Sequence, residues 1–358
     1  MTAENKKYDL ISLGEIMLRF DPGDSRVRTA RSFNVWEGGG EYNVARALSS
    51  CFGLNTAVIT AFADNDIGRL AENLIRTGGV DTSLIKWMPY DGIGSSVRNG
   101  LNFVERGYGL RGSKGTSDRG NTAISKLKPT DTDIDFDYIF GTLGTRYFHT
   151  GGIYAALSDA APETALAAVE AAKKYNTTVS FDMNYRPSLW AALEDTDKEI
   201  EYLRRIAESV DILFAGDNDL TVRLGVEKPN CDAGTDEFIT CLCDNTIKKY
   251  PNIKYIAMTK RRVISASKND WTAVLYHDGK IIHGRKFENI DVLDRIGSGD
   301  AFASGILYGL MKYDNLQKTL DCGIIHGALA MTTPGDVSMA TLCDIESLLG
   351  GADSAVVR

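Results

Sequence analysis

The chain has 358 residues, 43% of them hydrophobic and 25% charged, which is enough for a sizeable core in one large α/β domain or two ordinary ones. A formal net charge of -8 excludes a general nucleic-acid or anionic-membrane binder and requires any anionic substrate to meet a local cationic site. No apolar run reaches the length of a membrane span, Met1–Lys7 has no signal-peptide core, and the six cysteines are scattered without zinc-ligand spacing, so the expectation is a cytoplasmic protein with reduced thiols.

After a polar N-terminal tail, Tyr8–Gly14 reads as a short apolar strand ending on glycine, and Glu15–Pro22 continues with alternation and then breaks. Phe33–Trp36 leads into Glu37-Gly-Gly-Gly40, followed by helical spacing over Glu41–Ser50. Glycines at a strand-to-helix turn permit close backbone approach, and Asn43 offers both a donor and an acceptor. A ligand site and a plain tight connection both fit this turn taken alone. Thr56–Phe62 is a buried strand, and a helix from Asp64–Gly68 runs to Gly78–Gly79. This strand–helix alternation is the rhythm of a doubly wound, mainly parallel sheet.

Between residues 90 and 122 the rhythm changes. Ser95–Glu105 reads as an extended strand, followed by the polar, glycine-rich Arg106–Arg119. Gly107-Tyr-Gly-Leu-Arg-Gly112 matches a dinucleotide-binding pattern by letters, but no helix follows it, so a Rossmann site is rejected. No Walker A pattern occurs anywhere. The segment reads as a β excursion outside the main sheet, carrying Asn102, Arg111 and Arg119.

The alternation resumes with either Tyr138–Phe140 or Arg146–His149 as strand, a helix over Glu163–Lys174, and a core strand at Thr178–Phe181. Asp182-Met-Asn-Tyr-Arg-Pro-Ser-Leu-Trp190 hangs from the C-terminal end of that strand, where open α/β sheets bind ligands. A site and a capped surface loop are both compatible with it. Asp211–Phe214 and Tyr255–Thr259 supply further strands, and Trp271–Tyr276 with Lys280–His283 reads as a hairpin around His277–Gly279. Lys260–Arg262 is basic enough to contact phosphates, or is an exposed basic loop.

Phe287–Leu293 alternates as a strand, and Ala301–Leu310 is apolar on nearly every face, as in a buried helix. Between them, Asp294-Arg-Ile-Gly-Ser-Gly-Asp300 puts free backbone N–H groups of Gly297, Ser298 and Gly299 at the positive end of a helix dipole, a place for a phosphate oxyanion. Asp300 falls in the first helical turn, where a carboxylate is expected to stay ionised. It can take a proton from a substrate hydroxyl as that hydroxyl attacks phosphorus.

Gly38-Gly-Gly-Glu-Tyr-Asn-Val-Ala45 and Asp294–Asp300 together resemble the N- and C-terminal signatures of the ribokinase-like (PfkB) sugar kinases, in the right order and over nearly the whole chain. Gly14-Glu-Ile-Met-Leu-Arg-Phe, Phe181–Trp190 and Thr333-Pro-Gly-Asp336 are most similar to 2-keto-3-deoxygluconate kinases, and fructokinases share parts of them. The resemblance implies one ribokinase-like domain over residues 1–358, with lid strands from about 15–36 and 93–120. It implies transfer from ATP, with Mg²⁺, to the terminal hydroxyl of 2-keto-3-deoxy-D-gluconate, giving the 6-phosphate, with Asp300 as base beside Gly297, Ser298 and Gly299. By the same resemblance Gly38, Gly39, Gly40, Asn43, Asn102, Arg119 and Arg186 meet the sugar acid, and Asn184, Lys260, Arg261, Gly297, Gly299 and His326 lie near the nucleotide. The family's Asn-x-x-Glu motif near the metal reads Gly216-Asp-Asn-Asp219 here, leaving Asp219 as the acid that meets the metal through phosphates or water. The family's nucleotide loop, usually Thr-x-Gly-x-x-Gly, reads Thr259-Lys-Arg-Arg-Val-Ile264 here, with no glycine. Open lid edges suggest a homodimer. The rival readings are a fructokinase or another sugar kinase of the family, and a catalytically weak sugar- or nucleotide-binding protein with the same fold.

Overall fold

The computed structural model describes residues 6–130, 134–190 and 196–351, so most of the polar N-terminal tail lies outside the described residues. The first half carries strands β1 (Tyr8–Leu13), β2 (Met17–Asp21), β3 (Asn34–Gly38), β4 (Thr56–Ala63), β5 (Ile85–Met88), β6 (Gly100–Glu105) and β7 (Lys114–Asp118). Helices α1 (Gly40–Ser50) and α2 (Asp66–Thr77) interrupt them. After β8 (Thr145–Gly151) come α3 (Gly152–Ala155), α4 (Ala161–Lys174), β9 (Thr178–Asp182), α5 (Pro187–Trp190), α6 (Thr196–Ala207), β10 (Ile212–Phe214) and α7 (Asp236–Lys249). The chain closes with β11 (Tyr255–Ser265), β12 (Lys268–His277), β13 (Lys280–His283), β14 (Phe287–Asp291), α8 (Ser298–Lys312), α9 (Leu316–Ala330) and α10 (Leu342–Leu349).

Ten strands form one sheet in the order β13-β12-β11-β10-β9-β8-β1-β4-β5, with β14 paired to β12. It is parallel from β5 to β11 and antiparallel beyond. Strand alternation feeds two cores. Leu10, Ile212, Phe214, Ala257 and Trp271 pack with α1, α8 and α9 on one face. Ile11, Leu213, Ile256 and Val274 pack with α4, α6 and α7 on the other.

The excursions meet in a second, four-stranded sheet of order β3-β2-β6-β7. Phe20 stacks on Phe103 at 5.0 Å and meets Phe33 edge-on at 5.9 Å, which gives this sheet its own apolar centre. Of the two strand candidates near residue 140, Arg146–His149 lies in β8. Tyr138–Leu143 is instead a turn of π-helix that buries Ile139 and Phe140. The extended reading of Ser95–Glu105 holds only from Gly100. Upstream, Asp91 accepts from the N–H groups of Ile93, Gly94, Ser95 and Ser96 and folds that stretch into a turn. Among the described residues no helix is long and apolar enough to cross a membrane.

Candidate active site

Two glycine turns face each other where α1 and α8 begin. Gly39 is closed in by neighbouring backbone: a Cβ there would lie 1.9 Å from the Glu15 carbonyl oxygen. Gly297 caps α8 in the left-handed region, with φ of 79°, and a Cβ on it would lie 1.9 Å from the Asp336 carbonyl oxygen. Both turns therefore need glycine. By contrast, a Cβ on Gly299 would meet nothing within 4 Å, so that side of the turn is open.

Asn43 ties the turns together. Its Oδ1 accepts the Gly39 N–H at 3.2 Å, and its Nδ2 donates to Asp300 Oδ2 at 2.7 Å. Asp300 is only 9% exposed. Burial pushes its pKa up to about 8, the Asn43 hydrogen bond opposes the rise, and the charges of Asp182 and Glu41 add to it. The expectation of a carboxylate ionised by the helix dipole is thus corrected: desolvation outweighs the dipole. Glu41, buried with Oε1 accepting from the Tyr154 N–H at 3.1 Å, is raised to about 7 by burial. Asp182 is raised to about 6 for the same reason.

A cleft of about 720 Å³ runs between the four-stranded sheet and these turns, lined by Gly39, Gly40, Asn43, Asn102, Arg119, Arg186, Arg261, Arg295 and Gly297–Asp300 among others. A second lobe of about 630 Å³ continues from it, lined by Tyr185, Gly216–Asp219, Arg223, Met258 and Lys260. The lobes share Asp182, Asn184, Arg186, Thr259 and Gly299 as a common wall. Asn184 takes a left-handed φ of 31°, and its N–H donates to Asp182 Oδ1 at 3.0 Å. Gly38 stands just behind the first turn, where a Cβ would meet Asp336 Oδ2 at 2.4 Å, so it supports the turn rather than lining the cleft.

Besides Gly38, two expected residues and one expected segment stand differently from the sequence reading. Arg119 lines the cleft but is gripped by Glu15, donating from Nε to Oε2 at 2.8 Å and from Nη2 to the same oxygen. His326 is fully buried, its Nδ1 3.0 Å from Ser304 Oγ and its Nε2 2.8 Å from Ser338 Oγ, with Phe52 edge-on at 5.1 Å. Burial lowers its pKa to about 4, so it is a neutral core residue that lines neither lobe. Thr259–Ile264 is not a loop. Without glycine it extends β11 and pairs with β12, as in Lys260 opposite Thr272 and Arg261 opposite Trp271. Alternation then sends Lys260 into the second lobe and Arg261 into the cleft, while Arg262 pairs with Asp270 at 2.6 Å.

Sequence reading missed two cations and an acid pair. Arg295, inside the second turn, lines the cleft, and its charge and that of Arg186 lower the Arg261 pKa after desolvation has done so first. Arg186, Arg261 and Arg295 thus form a cationic cluster in a protein of net charge -8. An arginine within an anion-binding turn was the available signal. Arg19, Asp294 and Asp336 each stand in one of the motifs quoted above, but nothing in those motifs marks the three as partners.

Asp219 lines the second lobe with Oδ2 accepting the Gly216 N–H at 2.9 Å, and burial raises its pKa. No group of three or more His, Cys, Asp or Glu side chains disposed to hold a metal exists among the described residues. Asp219, with Asp182 and Asp217 also lining this open polar lobe, fits a hydrated Mg²⁺ shared with phosphates, and not an all-protein cage.

The family model for pfkB family carbohydrate kinases matches residues 7–342. The chain is 28% identical to a 2-dehydro-3-deoxygalactonokinase of Haloferax volcanii, over 100% of both chains. It is 25% identical to a 5-dehydro-2-deoxygluconokinase of Clostridium perfringens, over 92% of this chain and 89% of that one. The crystal structure of 2-dehydro-3-deoxygluconokinase from Thermotoga maritima superposes with a TM-score of 0.85 at 32% identity, covering 96% of this chain and 99% of that one.

Proposed function

The chain is a carbohydrate kinase of the PfkB family, and from that premise we propose that it transfers the γ-phosphoryl group of ATP to the terminal hydroxyl of 2-keto-3-deoxy-D-gluconate, giving the 6-phosphate. The observation that carries this reading is the place of Asp300. Its carboxyl, aimed by Asn43, stands beside the Gly297–Gly299 turn in the cleft that opens into the second lobe. A sugar in the cleft and a nucleotide in the second lobe would bring hydroxyl and phosphorus together there. The names of the relatives support a keto-deoxy sugar acid as the acceptor, and the arginines of the cleft supply what its carboxylate needs.

Asp300 takes the proton from the terminal hydroxyl. The hydroxyl oxygen forms its bond to the γ-phosphorus as the bond from that phosphorus to the β,γ-bridging oxygen breaks, and ADP leaves. The N–H groups of Ser298 and Gly299, at the start of α8, face the oxygens of the moving phosphoryl group with the helix dipole behind them. Arg261, Arg295 and Lys260 lie on the two sides of the shared wall and meet the triphosphate charge. Asp219, with Asp182 across the lobe, would hold Mg²⁺ through phosphates or water. The metal, when bound, offsets charge on the phosphate oxygens. The Arg186 charge acts to lower the Asp300 pKa toward a working base.

An ADP-release assay over 2-keto-3-deoxygluconate, its galactonate epimer, 5-keto-2-deoxygluconate, fructose and ribose tests the reading. Preference for 2-keto-3-deoxygluconate is expected. Preference for fructose or ribose would replace the sugar acid with a neutral sugar, and no turnover with any would leave a binding protein.

A further inference from the structure

Arg19 sits at the middle of lid strand β2 and is fully buried, the largest such side chain among the described residues. Its Nη1 donates to Asp336 Oδ1 at 2.5 Å and its Nη2 to Asp294 Oδ2, with Asp21 Oδ2 3.8 Å away on the same strand face. Arg106, after β6, reaches Asp21 at 3.2 Å. The two acids bracket the phosphate turn. Asp294 opens it, with Oδ1 accepting the Ile296 N–H at 3.2 Å, and the Asp336 backbone packs directly on Gly297.

One guanidinium in the lid therefore holds both flanks of the turn that begins α8. Opposite Arg19 in the parallel β2–β6 register is Asn102, which faces the cleft. The residue that grips the turn and a residue lining the sugar lobe are neighbours on adjacent strands. A buried cluster of this kind contributes little net stability, because desolvation of the charges offsets their attraction. Its distinctive product is geometry.

We propose that Arg19 is a positioning residue for phosphoryl transfer: through Asp294 and Asp336 it fixes the Gly297–Gly299 amides relative to the lid, so that the phosphate turn is correctly formed only against the lid sheet that covers the acceptor. This rests on the kinase reading above. Its planar fork is what the task requires, since two separate N–H arms reach two carboxylates. Loss of that span lets the turn drift, and a misplacement of about 1 Å costs on the order of 10²-fold in rate.

The test uses Arg19→Lys, which keeps the buried charge but spans only one acid well, and Asp336→Asn, which leaves the arginine in place and weakens one of its two grips. Both are assayed with the sugar acid that the wild type phosphorylates. The expected result is a kcat lowered about 10- to 100-fold with sugar KM within threefold. Binding of Mg-ADP-aluminium fluoride in the presence of sugar should weaken in parallel with kcat, while binding of ADP alone is spared. A lowered Tm with unchanged kcat in the variants that fold overturns the proposal, as does a loss confined to sugar KM. Should Arg19→Lys fail to fold, Asp336→Asn decides by the same readings. Absence of wild-type turnover with every sugar defeats the kinase reading and this one together. Wild-type turnover with both variants unimpaired defeats this one alone.

Discussion

Asn43 Nδ2 donates to Asp300 Oδ2 at 2.7 Å, joining the first turn of one helix to the first turn of another 257 residues later. Because Oδ1 of the same amide is held by the Gly39 N–H, its orientation is fixed and the donor always faces the acid. The two glycine turns are thus registered to each other by a single side chain.

Asp300 should set the pH dependence. With its pKa raised to about 8 in the free protein, kcat/KM for the sugar is expected to rise with pH toward a plateau above that value, since the base acts deprotonated. Linkage runs the other way. The folded state holds this proton more tightly than the unfolded chain, so its stability contribution is complete below about pH 4 and is lost as pH rises through about 8. Asp300→Asn should therefore lower kcat by about 10²–10⁴-fold while raising Tm at pH 8. Near wild-type turnover in the variant would move the base elsewhere.

Gly297 and Gly299 differ in a way substitution can read. Alanine at Gly297 meets both a left-handed φ and the Asp336 carbonyl oxygen, so Gly297→Ala should lower both Tm and kcat. Alanine at Gly299 meets open space in a helix, so Gly299→Ala should keep or gain about 0.5–1 kcal/mol of stability. Its methyl projects where the phosphoryl oxygens belong, and turnover should fall more than tenfold. Full activity in Gly299→Ala would remove the phosphoryl group from this turn.

Arg186 is exposed, as are Arg261 and Arg295, and among the described residues its guanidinium donates to the Tyr185 carbonyl at 3.3 Å. A charge-assisted hydrogen bond to a carboxylate is worth roughly 1.5–3 kcal/mol. Arg186→Ala should accordingly raise KM for 2-keto-3-deoxygluconate by about ten- to a hundredfold and affect a neutral hexose far less. Arg186→Lys should recover little, because the two-pronged grip is gone. Equal losses for acidic and neutral sugars would assign Arg186 to the phosphates.

His326 should matter for stability and not for nucleotide. His326→Leu removes one hydrogen-bond partner from each of Ser304 and Ser338 in the core, leaving Ser304 Oγ its bond to the Ala301 carbonyl and Ser338 Oγ that from the Ala340 N–H, at a cost of about 1–3 kcal/mol. Urea unfolding should report that loss with KM for ATP unchanged. A stable variant with a tenfold higher KM for ATP would return the residue to the nucleotide site.

The sheet, both glycine turns and Asp300 were legible because each is written in contiguous residues: apolar strands, then glycines, then helical spacing. What was not legible depends on residues brought together by the fold. Asp294 and Asp336 lie 275 and 317 residues from Arg19, and nothing local marks them as its partners. The ionisation of Asp300 was misjudged because the dipole is local, whereas the burial that overrides it comes from packing against distant elements. His326 looked available only because sequence carries no depth. The family likeness makes Thr259–Ile264 a loop, whereas the segment has no glycine to turn it and continues strand β11.

The lid sheet also bears on the order in which the molecule assembles. Its central pair, β2 and β6, is parallel, with Met17 beside Gly100, and β4, α2 and β5 all lie between them in the chain. Such a pairing gains nothing until a long loop has closed, so it forms late relative to helices and neighbouring strands. Pulse-labelled exchange during refolding should protect amides of β1 and β4 before those of β2 and β6. All four strands of this sheet precede β8 in the chain, so during synthesis they emerge ahead of most of the main sheet, and the covering strands can pair while the sheet beneath them is still being made.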